Sequence, residues 1–366
     1  MQEDLLYQIA LTTIPHIGPV QARLLIEHFG RAAPIFQASK SMLEKIEGIG
    51  SIKAGNIKKF HDFERIEQEI RFIEKWGVKT LFFTDAGYPQ RLLNCYDPPV
   101  LLYYKGRLDL NAARVVAVIG TRNNTEYGRG ITEKFIKDLA EAGVVIVSGL
   151  AFGIDAIAHR AALKYGLPTA GVLAHGLDTI YPQQHHGLAK DMLERGGLLT
   201  EYSSCTKPDR HHFPMRNRIV AGLCDAVVVV ETNVKGGSMI TAALANSYHK
   251  DVFAVPGRTT DPGSTGCNHL IGHNRAALLT GAQQFLEIMG WEPRSSRKPI
   301  RQRELFVQLT EEETILVNIL QQRQAVPIDE VNMRSNLSSS KVAAALLNLE
   351  LQGLVSALPG KLYRLN

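Results

Sequence analysis

Four short segments carry the residue types that bind phosphate and nucleobase, and each stands just after an apolar run or at the start of a helix. They are Gly120-Thr121-Arg122, Ser148-Gly149 with Phe152, Arg216-Asn217, and Lys235-Gly236 with Ser238. Arg122 offers a planar fork of N–H donors that fits paired phosphate oxygens; the other reading is that it pairs a carboxylate such as Asp155 and holds the loops together. Ser148, Gly149 and Gly153 ahead of a helix make a nest of backbone donors. Phe152 either stacks on a base, a contact worth about 1–3 kcal/mol in single-strand binders, or packs its own loop. Pro214 starts a helix where its missing N–H costs nothing, and Arg216 and Arg218 on either side of Asn217 gather positive charge at that helix start. In Glu231-Thr232-Asn233-Val234-Lys235-Gly236-Gly237-Ser238 a strand end, a cation and paired glycines again precede a helix.

Chemistry on a bound molecule is not written here. His185-His186 and His211-His212 are adjacent pairs without a metal-ligand spacing and read as solvated loop histidines. Asp155 and Glu201 stand at element edges, where they orient neighbours and do not transfer protons. Neither a catalytic residue, a metal nor a cofactor is expected.

The elements that position these segments follow from the pattern around them. Apolar β-branched runs at 115–120, 144–149, 169–174, 226–231 and 251–257, with GLLTEY before Arg216, alternate with helical stretches. Strands this apolar are buried on both faces, which requires a mostly parallel sheet between layers of crossover helices. The expected fold is α/β, an extended Rossmann-like doubly wound sheet whose binding site lies at the carboxyl ends of the strands. A dinucleotide loop would read GxGxxG after the first strand, and of that pattern only Gly120 is present.

At 366 residues the chain exceeds one ordinary core of about 100–200 residues. Apolar residues make up 45% and charged residues 21%, with Gly and Pro scattered, which excludes a disordered or repetitive chain. No apolar run is long enough to span a membrane and no leader pattern opens the chain, so a cytoplasmic protein is expected. Four widely separated cysteines form neither a disulfide framework nor a zinc ribbon. A net charge of +5 permits a polyanionic partner without demanding one.

The flanks differ from the middle. Ile14-Pro15-His16-Ile17-Gly18-Pro19-Val20 and Ile46-Glu47-Gly48-Ile49-Gly50-Ser51-Ile52 are two copies of a helix-hairpin-helix pattern. Such turns seat a duplex phosphate on free helix N–H groups, and they also serve as protein contacts. The carboxyl-terminal segment reads as three helices and a β-hairpin, the order of a winged helix. Its presumed recognition helix holds Lys341 and no Arg, too little positive charge to grip DNA, so a protein or dimer contact is favoured. The expected divisions are 1–75 helical, 76–111 a connector packed on the next domain, 112–290 Rossmann-like, 291–304 a linker and 305–366 winged helix.

Taken in order, VIGTR, SGLAFGIDAIAH, GGLLTEY, FPMRNRIVAGL, ETNVKGGSMITA, VPG and GCNHLI resemble the DNA-processing protein A family, also called Smf, over about residues 80–285. The resemblance implies a domain that binds and protects single-stranded DNA, dimerises, and loads the RecA recombinase onto incoming strands in natural transformation and recombination. It also implies that Gly120, Thr121, Arg122, Ser148, Gly149, Phe152, Arg216, Asn217, Lys235, Gly236 and Ser238 line the DNA pocket. The alternative is a nucleotide sensor or phosphoribohydrolase-like enzyme on the same pocket. Such enzymes carry PGGxGTxxE; in register with Gly236-Gly237 this chain has Met239, Ile240 and Ala243, and the carboxylate is missing.

Overall fold

The computed structural model describes residues 2–291, 309–323, 325–358 and 360–365. Two compact units divide at Pro293/Arg294. The expected linker at 291–304 lies, apart from Trp291, outside the described residues.

The first unit begins with six helices: α1 (Gln2–Thr13), α2 (Pro19–Phe29), α3 (Ala33–Gln37), α4 (Lys40–Glu44), α5 (Ser51–Lys59) and α6 (Phe63–Trp76). Next come β1 (Lys79–Phe82), α7 (Gln90–Leu93) and β2 (Leu101–Gly106). The alternating part follows with β3 (Val115–Ile119), α8 (Glu126–Asp138), β4 (Val145–Ser148), α9 (Ile154–Lys164), β5 (Thr169–Val172), α10 (His186–Arg195) and β6 (Gly197–Thr200). It closes with α11 (His212–Leu223), β7 (Ala226–Val229), α12 (Gly237–Ser247), β8 (Asp251–Ala254), α13 (Thr265–Gly272), β9 (Ala277–Leu278) and α14 (Ala282–Ile288).

The nine strands form one sheet in the order β1-β2-β6-β5-β4-β3-β7-β8-β9. From β6 to β9 every pairing is parallel, while β1–β2 and β2–β6 are antiparallel. Along β3 the side chains alternate between two cores, Val115, Ala117 and Ile119 on one face and Val116 and Val118 on the other. Both faces are therefore dry, as a parallel sheet under two helix layers requires. The chain runs outward from β3 to β6 and then returns to the other side of β3 as β7, so the sheet reverses its winding at β3. Loops leaving the strands there diverge and leave a crevice.

Residues 76–111, expected as a connector packed on the next domain, join its sheet. They supply β1 and β2, which extend the sheet through antiparallel pairing of β2 with β6 and of β1 with β2. The helical segment does not stand apart either, because Ile9, Leu25 and Ile73 share one core with Leu102 and Tyr103 of β2 and with Ile219 of α11. A buried carboxylate pins that junction: Glu69 on α6 accepts the Ser204 N–H at 2.9 Å and its hydroxyl at 2.5 Å, with Arg65 at 3.0 Å.

The second unit has its own core, in which Leu316, Val331, Val342, Leu346 and Val355 meet. It comprises α15 (Glu311–Leu320), β10 (Val326–Pro327), α16 (Ile328–Ser335), α17 (Ser339–Leu351), β11 (Val355–Leu358) and β12 (Leu362–Leu365), a winged-helix order. Thr310 and Glu313 cap α15 reciprocally. The short strand β10, which pairs with β12, was not legible in the sequence. Among the described residues no helix is long and apolar enough to cross a membrane.

Candidate nucleic-acid interface

At the reversal point a cavity of about 650 Å³ opens between the loops that follow β3, β4 and β7 and the start of α11. Backbone hydrogen bonds lash these loops together. Thr121 N–H donates to the Glu231 carbonyl at 2.7 Å, and Ile154 N–H to the Thr121 carbonyl at 3.2 Å. Close approach explains the glycines. Gly153 has φ +76° and a Cβ there would strike the Thr121 carbonyl, while a Cβ on Gly149 would meet the Arg216 guanidinium at 2.5 Å.

Eight of the eleven residues expected at the DNA pocket line this cavity: Gly120, Thr121, Arg122, Gly149, Arg216, Asn217, Gly236 and Ser238. Arg122 is exposed and forms no ion pair among the described residues; its guanidinium lies over the Phe213 ring at 5.3 Å. Pairing of Arg122 with Asp155 is thus not observed. The N-terminus of α12, at Gly236, Gly237 and Ser238, lines the same space; the Gly236 N–H is held by the Asn233 carbonyl at 2.9 Å, and the N–H groups of the first helical turn begin at Gly237.

Three expected residues lie elsewhere. Ser148 is fully buried, and its hydroxyl donates to the Val118 carbonyl at 2.7 Å, tying β4 to β3. Phe152 is exposed but packs edge-on against His185 at 4.9 Å, outside the cavity lining. Lys235 is exposed on the rim beside Gly236, its N–H held by the Asn233 side chain at 3.0 Å.

Arg216 lines the floor in an unexpected state. Only 4% of it is exposed, and its guanidinium donates to the carbonyls of Gly149, at 2.7 Å, and Val172. Burial pulls its pKa down to about 10, partly offset by Asp155, so it stays charged at neutral pH. Arg216 therefore contributes field from below more than a reachable fork. Arg218 turns away to Glu201 and the Asp97 carbonyl.

Two further phosphate seats that the fold normally provides are filled by the protein itself. The nest after β4 donates to Asp155, from Gly149 N–H at 3.1 Å and Ala151 N–H at 3.4 Å. Burial raises the Asp155 pKa, and Arg216 and these N–H groups oppose the rise. At the start of α8, where a dinucleotide phosphate would sit, buried Glu231 accepts Thr125 N–H at 2.9 Å and its hydroxyl at 2.5 Å. The anion sites left open are Arg122, the α12 terminus and the rim cations.

Sequence reasoning missed the aromatic wall. Tyr181 and Phe213 both line the cavity with ring centroids 5.9 Å apart, and Arg210 joins them at the mouth. Phe213 was visible beside Pro214, but Tyr181 lies in a loop with no pattern around it.

His185 is not a solvated loop histidine. It is buried with Nδ1 on the Leu150 carbonyl, and beneath the site His159 is buried too, Nδ1 on Thr169 Oγ1 at 2.7 Å and Nε2 without a partner. Burial pushes the His159 pKa down to about 3, with the charges of His185 and Arg216 adding to the effect. The fold thus holds a neutral imidazole, whereas the unfolded chain takes up a proton near its ordinary value of about 6.5. Stability is accordingly complete above about pH 6.5 and falls as pH drops toward 3, by about 1 kcal/mol per unit. Thermal melts at about pH 7 and about pH 5 should show this loss, and His159→Asn should flatten it.

An open cationic crevice with an aromatic wall, at the winding reversal of a Rossmann-like sheet, defines a ligand-binding α/β protein. Comparison with known proteins makes this more specific. Residues 79–290 match the family model for DNA recombination-mediator protein A, 307–361 the DprA winged helix domain and 8–70 the helix-hairpin-helix motif. Protein Smf of Synechocystis sp. is 34% identical over 393 residues, covering 98% of each chain. The X-ray structure of DNA processing protein A from Streptococcus pneumoniae superposes with a TM-score of 0.66 at 34% identity, over 78% of this chain and 98% of that one. DNA processing protein A from Helicobacter pylori, for which a single-stranded DNA binding mode is described, gives a TM-score of 0.54 at 34% identity, over 58% and 96%. The chain belongs to the DNA recombination-mediator protein A family.

Proposed function

We propose that the crevice binds single-stranded DNA, with phosphates on Arg122, Lys235 and the α12 terminus and bases against the Phe213–Tyr181 wall. The observation that carries this reading is the Arg122 guanidinium, without an ion pair among the described residues and over an aromatic ring at the mouth of an open cavity. The Helicobacter pylori relative supports it. Because such contacts reach only backbone and ring faces, sequence preference is low.

The role that follows is protection of incoming single strands and loading of RecA onto them in the cytoplasm, during natural transformation and recombination. Family membership supports the RecA step. A homodimer through the α/β domain fits the edge strand β9, whose Ala277 and Leu278 are exposed and leave one side unpaired. Duplex contact falls to the helical hairpins at Gly18 and Gly50. For the winged helix a protein contact is the better reading, since Lys341 pairs with Glu312 at 3.1 Å while Leu347 and Leu351 are exposed on α17.

Gel shifts with single-stranded and duplex oligonucleotides at two salt concentrations test the central claim. Single strands of any sequence should bind, with affinity falling steeply as salt rises. Salt-insensitive binding would remove this mechanism, and a mononucleotide that competes with oligothymidine or is hydrolysed would instead establish the nucleotide sensor or hydrolase. Filling of the α8 phosphate seat by Glu231 counts against that alternative.

A further inference from the structure

A second concave surface of about 600 Å³ stands on the same rim as the Arg122 crevice, bounded by Thr125 and Tyr127 at the start of α8 and by Pro256, Gly257, Arg258 and Asp261 after β8. Its place follows from topology. β3, β7 and β8 are neighbouring parallel strands, so the loops leaving their carboxyl ends stand side by side. The first cavity uses the β3 and β7 loops; the second uses the β3 and β8 loops.

Its walls are fixed and its chemistry is that of a nucleotide seat. Tyr127 is 47% exposed, yet its hydroxyl is anchored on the Pro256 carbonyl at 2.8 Å, so a half-exposed ring is held in position. Asn268 clamps Gly257 from both sides, accepting its N–H at 3.2 Å and donating to its carbonyl at 3.0 Å. Arg258 is exposed and forms no ion pair among the described residues. The carboxylate on this surface, Asp261, is engaged by Gly263 N–H at 2.9 Å and the Ser264 hydroxyl at 3.3 Å. With Glu231 already occupying the helix terminus behind it, recognition here comes from a ring face and a guanidinium, which is how single strands are held without reading sequence.

We infer that this surface is a further nucleotide subsite for the same DNA strand, one base stacked on Tyr127 and the adjoining phosphate on Arg258. The inference rests on the single-strand reading of the Arg122 crevice and extends it: a strand leaving that crevice along the rim meets Tyr127 next.

Fluorescence anisotropy of the full-length protein with oligothymidines of about 5 and about 20 nucleotides separates the two claims, because the shorter fills one seat and the longer spans both. Tyr127→Ala/Arg258→Ala is expected to weaken the longer oligonucleotide about tenfold and the shorter less than about twofold. Arg258→Ala alone, at an exposed side chain without an ion pair among the described residues, should give part of the same length-dependent loss and keeps the result independent of any folding defect. Photocrosslinking with iododeoxyuridine in the longer strand should mark the peptide carrying Tyr127. Unchanged affinity for the longer strand in the double variant, with the wild-type protein binding both, overturns the subsite and leaves the Arg122 reading intact. Failure of the wild-type chain to bind either oligonucleotide removes both.

Discussion

Arg216→Met should lower the free energy of unfolding by about 3 kcal/mol and abolish single-strand binding, although the guanidinium is almost inaccessible. The size follows from what the substitution leaves behind. Asp155 lines the cavity as a buried carboxyl group, its pKa already raised by burial and held back by the Arg216 charge. The carbonyls of Gly149 and Val172 would also lose their shared donor. Removing one member of a buried charged network is far costlier than never having built it, because the remaining charge has no solvent to turn to. Urea unfolding monitored by circular dichroism measures the loss. Asp155→Asn in the Arg216→Met background should recover part of it, and a strictly additive double variant would mean that the two groups do not interact. Binding fails for a second reason: Gly149 rests on the guanidinium, so the β4 loop loses its support at the cavity floor.

The contrast between Arg216 and Arg122 marks how far the sequence could be read. Strand and helix alternation from Val115 to Ala254 was legible because strands buried on both faces have an apolar run as their signature, and the loops at their carboxyl ends were thereby located. Residue type alone could not say which cations in those loops remain free. Arg122 and Arg216 look equivalent in sequence, and only packing separates a solvent-facing fork from one absorbed by two carbonyls. The same holds for anion seats: a nest of glycines ahead of α9 signals a phosphate, yet Asp155 from the helix's own first turn fills it. Ser148 and Phe152 were singled out for local chemistry, whereas tertiary contacts with Val118 and His185 direct them elsewhere. β2 escaped notice because its partners are strands distant in sequence or antiparallel to the expected pattern, and prolines at 98 and 99 masked its start.

Arg122→Glu should weaken oligothymidine binding about 100-fold at low salt and reduce the slope of log affinity against log salt by about 0.7 to 1. Each phosphate neutralised by a cation releases condensed counterions, so losing one contact shows in the slope as well as in the affinity. Charge reversal adds repulsion at a site where the α12 terminus and Arg216 had favoured the anion, which is why the loss exceeds the roughly tenfold effect expected of Arg122→Ala. Stability should hardly change, since the side chain is exposed and rests on the Phe213 ring without an ion pair among the described residues. Arg122→Lys separates charge from shape: it should retain most of the salt slope but lose affinity, because an ammonium keeps the counterion effect without the planar fork or its stacking on Phe213. Sequence-independent loss across thymidine, adenosine and cytidine oligomers is expected in all three variants; a loss confined to one base would mean that Arg122 reads a base edge and not the backbone.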